Sequence, residues 1–210
     1  MKSTSETVRD KIFDFAYTMA MRDATLQKAY YDAEKNNDKK HVLECTEAKK
    51  LVKEYIDCIF ENKNPSFDTT EKAVEAAFSK YLGNDYPDFT FGNTQKLINM
   101  TAKYMFISCY HDSSLCQHFE KCDCPMDSKM VEIVIKLVKK SNTEQDVLII
   151  AKDYIKSDSE NKTWRAYLRK SWSNIINDDH DQYSFFQRIV RFLGEKEGLS
   201  PLEFDYQYWE

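Results

Sequence analysis

Glycine and proline are scarce, four of each in 210 residues, and an all-β fold needs far more turn-forming positions than that. No apolar run approaches the roughly 18 residues that cross a bilayer, so no membrane partner is expected. A phosphate-cradling glycine loop, a His-Glu-x-x-His zinc signature and a nucleophile elbow are all missing. Net positive charge is missing too: the formal charge is −5, which counts against bulk electrostatic binding of nucleic acid. Residues Met1-Lys2-Ser3-Thr4-Ser5-Glu6 carry no signal-type apolar stretch. The six cysteines are scattered through a chain too large to need disulfide staples. Together these point to a cytoplasmic protein with reduced thiols.

What the chain has is material for a core, 42% hydrophobic residues with 14% aromatics, distributed at helical spacing. Apolar residues recur with that period over positions 7–31, 41–60, 94–110, 126–138, 143–155, 164–176 and 183–193. A further helix is expected from Asp68-Thr69-Thr70-Glu71, with Val74, Ala77, Phe78, Tyr81 and Leu82 buried and Gly83 as its C-terminal cap. Ser200-Pro201-Leu202-Glu203 opens a last short helix ending at Trp209, which is expected to anchor the tail. No period-2 strand and no internal repeat is evident. The fold class expected is all-α, a compact orthogonal bundle of about nine helices in one domain over 1–210. A division into two helical lobes, about 1–90 and 91–210, is the alternative.

Two short elements carry chemistry. Phe91-Gly92-Asn93-Thr94-Gln95-Lys96 reads as a glycine turn that opens a buried helix, and Cys124-Pro125-Met126-Asp127-Ser128 opens another. From Lys96 to Asp127 is 31 residues. This pattern resembles the helix–hairpin–helix DNA glycosylases, particularly the 8-oxoguanine DNA glycosylase/AP lyases, over about residues 91–135. Those enzymes carry a glycine hairpin, a lysine at the start of a buried helix, and a proline–hydrophobic–aspartate element beyond it. The resemblance implies a helix–hairpin–helix fold and a DNA partner with a modified or damaged base. It also implies base excision, with or without AP-lyase activity. Lys96 would attack the anomeric carbon, Asp127 would stabilise the charge developing on the sugar, and Gly92, Asn93, Thr94 and Gln95 would hold a phosphate. Phe89, Phe91, Tyr104, Trp164 and Trp172 are candidates for stacking. The family hairpin has two glycines; here Asn93 holds the second place, a residue that tolerates the left-handed conformation. Both key residues also have structural readings: Lys96 as a solvent-facing residue of a first turn, Asp127 as an N-cap.

Cys109, His111, Cys116, His118, Cys122 and Cys124 crowd sixteen positions, a density of soft donors that suits zinc. Their spacing includes no Cys-x₂-Cys knuckle, so free thiols in an ordered loop are the alternative, and no other cofactor is implied. Lys129, Lys136, Lys139 and Lys140 share one expected helix and offer a local basic face on an acidic chain. His180, among acidic neighbours, reads as a loop residue before a helix. A non-enzymatic helical binding protein with a protein or nucleic-acid partner remains the second functional class, and it predicts an exposed apolar patch.

Overall fold

A computed structural model describes residues 4–25, 45–82, 89–155, 163–175 and 180–209, and every regular element among them is helical. The all-α expectation holds. The expected continuation of the first helix to 31, the start of the second at 41 and Gly83 as a cap all lie outside the described residues. The chain divides into two compact units, Met1–Phe119 and Glu120–Glu210. That boundary falls later than the division near 90/91 given as the alternative to a single domain, because the helix beginning at Phe91 packs along the first helix and belongs with it.

Unit 1 contains α1 (Thr4–Thr25), α2 (Thr46–Phe60), α3 (Phe67–Leu82), α4 (Phe91–Ser108) and α5 (Ser113–Cys116), which runs into a 3₁₀ turn, Gln117–Phe119. The buried stripe of α1 is Phe13, Ala16, Tyr17, Ala20, Met21 and Ala24. Ala16, Ala20 and Ala24 recur every fourth residue, and such short side chains suit the long packing of α1 along α4. On α3 the buried face is Glu71, Val74, Phe78 and Leu82, while Tyr81, expected inside, is exposed. Phe78 stacks on Phe89 with centroids 3.9 Å apart, which pins the chain where it enters α4.

Helix α4 starts three residues earlier than its apolar period implied. Thr90 caps it: the hydroxyl accepts from the Asn93 N–H, and the Asn93 carboxamide oxygen accepts from the Thr90 N–H at 3.2 Å. The Asn93 amide also donates to the Ala24 carbonyl at the end of α1, 2.8 Å away. Asn93 is therefore a capping-box residue that ties two helices together.

Unit 2 contains α6 (Ser128–Lys140), α7 (Glu144–Ala151), α8 (Trp164–Leu168), a 3₁₀ turn (Trp172–Asn174), α9 (Asp181–Glu195) and α10 (Pro201–Tyr208). Helix α9 is its hub and packs against α6, α7, α8 and α10. The loop before α6 is held by Gln187 of α9, whose amide accepts from the Cys124 N–H at 3.0 Å and donates to the Cys124 carbonyl at 2.6 Å. The stretch expected as one helix over 164–176 is instead a five-residue helix and a 3₁₀ turn, with Gln182 donating to the carbonyls of Leu168 and Lys170 that this break leaves open. The final helix has the expected start, a capping box between Ser200 and Glu203 with Pro201 in the first turn. Trp209 is not the anchor: it is 47% exposed with the Lys129 ammonium 4.8 Å over its ring, whereas Leu202 and Phe204 are buried.

Gly194 sits where the turn after α9 doubles back, and its carbonyl accepts from the Leu199 N–H at 2.9 Å. A Cβ there would lie 2.7 Å from the Leu199 carbonyl oxygen, a backbone atom that cannot swing aside. Gly194→Ala should cost about 1–3 kcal/mol, the usual range for overpacking, read as a lower midpoint in urea unfolding. An unchanged midpoint would show that the turn moves freely.

Candidate functional site

The residues proposed for chemistry fall in both units, Lys96 in unit 1 and Asp127 in unit 2. Fourteen of the eighteen residues of α4 are buried, which makes it the central helix of unit 1. From Phe91 to Lys103 the single side chain that is not buried is Lys96, in the second turn. Other polar groups on this helix are enclosed. Gln95 donates to the Gly92 carbonyl at 3.0 Å, Asn99 donates to the Gln95 amide oxygen at 3.4 Å, and Lys103 is 3% exposed. Gln95, Asn99 and Lys103 recur every fourth residue and form a polar stripe along an otherwise apolar helix. Interior lysine is rare because burying its charge is costly, and breaches of that rule gather at functional sites. Sequence reasoning passed over Asn99 and Lys103; the signal was their four-residue spacing from Gln95.

The hairpin does not form. Gly92, Asn93, Thr94 and Gln95 lie in the first turns of α4, all buried. The Asn93 N–H meets the Thr90 hydroxyl and the Thr94 N–H meets the Thr90 carbonyl at 2.9 Å, so these two amides have acceptors already and do not face a phosphate. Among the described glycines the left-handed conformation occurs only at Gly198, with φ of 70°. Of the stacking candidates, Phe89, Phe91 and Trp164 are buried, and the Tyr104 hydroxyl donates to Asp23 at 2.6 Å.

Asp127 occupies the N-cap of α6, as its structural reading holds, and its carboxylate accepts from the Met130 N–H at 2.9 Å. Pro125 and Met126 before it are buried, so the carboxylate is fixed by a rigid helix start. On the same helix Lys129, Lys136 and Lys140 are exposed and follow one face at seven- and four-residue spacing, and Lys139 is exposed beside them. The expected basic face exists on α6.

The six Cys and His positions do not form the zinc set expected of them. Among the described residues, no three His, Cys, Asp or Glu side chains are grouped to hold a metal ion. The thiols turn instead to carbonyl groups: Cys109 donates to Met105 at 2.9 Å and Cys116 to Cys109 at 3.1 Å. The Cys124 thiol lies 3.6 Å from the carbonyl of Pro125, and Cys122 is buried. His118 Nδ1 lies 3.1 Å from the Phe60 carbonyl, and His111 is exposed. Burial pushes the Cys109 thiol pKa up, away from the thiolate that a metal would need. Cys109 and Cys116 are thus structural thiols.

The chain matches no protein-family model, no curated protein and no solved structure.

Each unit also has a cavity. In unit 2 about 380 Å³ is bounded by Glu120, Glu195, Glu203 and Arg191 beside the start of α10, whose first turn its own capping box occupies. In unit 1 about 470 Å³ lies between α1 and the start of α2, lined by Tyr17, Thr18, Met21 and Arg22 on one side and Cys45, Thr46 and Lys49 on the other. Among the described residues no side chain caps helix α2. Cys45 holds the N-cap position but points its thiol to the Ala77 carbonyl, 3.7 Å away.

Proposed function

We propose that the protein is a DNA base-excision enzyme, a glycosylase with or without AP-lyase activity, in which Lys96 is the nucleophile. The observation that carries this reading is the placement of Lys96, the one side chain between Phe91 and Lys103 that is not buried, on a helix fixed at its start by the Thr90–Asn93 box. A nucleophile needs both access to substrate and a rigid support. The amine would attack the anomeric carbon of the damaged nucleotide; the bond to the base breaks and the base leaves with the bonding electrons; the nitrogen then loses a proton and the C1′–O4′ bond opens with a proton on O4′, giving a Schiff base open to hydrolysis or strand cleavage. The resemblance assigns the charge-stabilising role to Asp127, whose carboxylate accepts from the Met130 N–H.

Borohydride added to the protein with duplex DNA carrying an abasic site should yield a covalent 1:1 adduct, and Lys96→Ala should abolish it. Equal trapping by the variant would remove Lys96 from the mechanism.

A second reading, a helical binding protein with a protein partner, is favoured by one feature of α1. Val8, Ile12, Phe15 and Met19 follow one face, with Val8 52% and Phe15 65% exposed. An adduct-free protein that self-associates or captures a partner through this face would replace the enzymatic reading.

A further inference from the structure

We propose that the unit 1 cavity between α1 and the start of α2 binds a small organic phosphomonoester, with the phosphate at the N-terminus of α2 and the organic part against Met21 and the Tyr17 ring. This site is separate from Lys96 and does not rest on the base-excision reading.

Four observations converge on it. First, α2 has fifteen residues, and its N-cap side chain makes no capping bond. Among the described residues none accepts from the backbone N–H groups of Thr46, Glu47 or Ala48; the helix's own bonding begins with the Lys49 N–H on the Cys45 carbonyl, 3.0 Å away. Uncapped amides at the positive end of a helix are a ready anion site. Second, Arg22 and Lys49 both line the cavity. Arg22 makes no ion pair with another described residue, and Lys49 is 2.7 Å from Asp14 with its ammonium 5.9 Å from the centre of the Tyr17 ring.

Third, Tyr17 is 3% exposed, and its buried hydroxyl has no hydrogen-bond partner among the described residues. Buried hydroxyls are nearly always satisfied, so an orphan on a cavity wall marks a place where a ligand oxygen or a bound water belongs. Burial, and next the neighbouring Cys45 sulfur, raise the phenol pKa, so the group stays a neutral donor. Fourth, the Thr46 hydroxyl adds another donor at the wall, whereas that of Thr18 already donates to the Asp14 carbonyl at 2.7 Å.

The donor set selects the ligand class. An arginine fork, an ammonium, helix-start amides and two hydroxyls exceed what the two oxygens of a carboxylate accept, and they suit the three terminal oxygens of a phosphomonoester. At about 470 Å³ the cavity exceeds the needs of a bare ion and falls within the range of small-molecule sites. The Met21 side chain and the Tyr17 ring supply the apolar wall for the remainder.

An amide NMR titration of the full chain tests this with three additions: phenyl phosphate, inorganic phosphate, and sodium chloride at matched ionic strength. Phenyl phosphate should give saturable shifts at Thr46, Glu47 and Ala48, inorganic phosphate the same shifts about tenfold more weakly, and chloride none. Arg22→Gln, a change at an exposed position, should weaken phenyl phosphate by about tenfold, and Arg22→Lys by less. Shifts absent at those amides, shifts reproduced by chloride, or an affinity unchanged in Arg22→Gln would each overturn the site. Equal affinity for inorganic and phenyl phosphate would overturn the organic half of the assignment.

Discussion

Phe78→Ala should lower the stability of the fold by about 3–5 kcal/mol, the range found when a phenylalanine is removed from a core. Phe78 is fully buried on α3, and its ring lies nearly parallel to that of Phe89, at 19° and 3.9 Å between centroids. Removing it leaves a hole that rigid helices close only in part, and it strips Phe89 of its stacking partner. Phe89 immediately precedes Thr90, the cap of α4, so the loss reaches the helix start that supports Lys96. A loss of this size consumes much of the roughly 5–15 kcal/mol that keeps a domain folded. Urea unfolding measures it directly, and Phe78→Leu should retain more than half of the difference. A Phe78→Ala loss below about 1 kcal/mol would mean that this part of the core repacks without hindrance.

Glu71→Gln should stabilise the protein at alkaline pH and leave it nearly unchanged in mild acid. Glu71 is fully buried on the inner face of α3. Burial, and then the nearby Glu75 carboxyl one turn along, push its pKa up from 4.5 to about 8. The sign follows from proton counting. Between 4.5 and about 8 the folded chain keeps a proton that the unfolded chain gives up, so this group makes stability fall as pH rises through that window. Below it both states are protonated and the burden is absent. Glutamine keeps the shape and cannot ionise, so stability against pH should flatten over this range. At pH 8.5 the variant should gain about 1–3 kcal/mol, the scale on which an unmet buried polar group is felt. Parallel pH curves for wild type and Glu71→Gln would show that Glu71 is ionised in the fold.

The helical class could be read from the sequence because an apolar period needs no tertiary information, and α3, α6, α9 and α10 came out within a few residues of their limits. The misses have physical causes. Gly92-Asn93 looks like a turn when glycine is read alone, but Thr90 three residues before Asn93 forms a capping box, and that pairing outweighs one glycine's preference. Glu71 reads in sequence as part of the Asp68-Thr69-Thr70-Glu71 helix start and not of the buried face; extending the stripe of Leu82, Phe78 and Val74 back by three places it inside. The Cys and His cluster looked dense in sequence, yet Cys109 and Cys116 spend their thiols on carbonyls, and a spacing count has no access to that. The unit 1 cavity was hidden for another reason: Tyr17 and Arg22 are far in sequence from Thr46 and Lys49, and the α1–α2 arrangement alone brings them together.

Peptide mapping of a borohydride-trapped adduct tests the functional account most directly. Wild-type protein is incubated with duplex DNA carrying an abasic site, reduced, digested, and the modified lysine located by mass spectrometry. A single reduced adduct is expected, on Lys96, and none in Lys96→Ala. No adduct, or an adduct on Lys103 or on the α6 lysines instead, would contradict it.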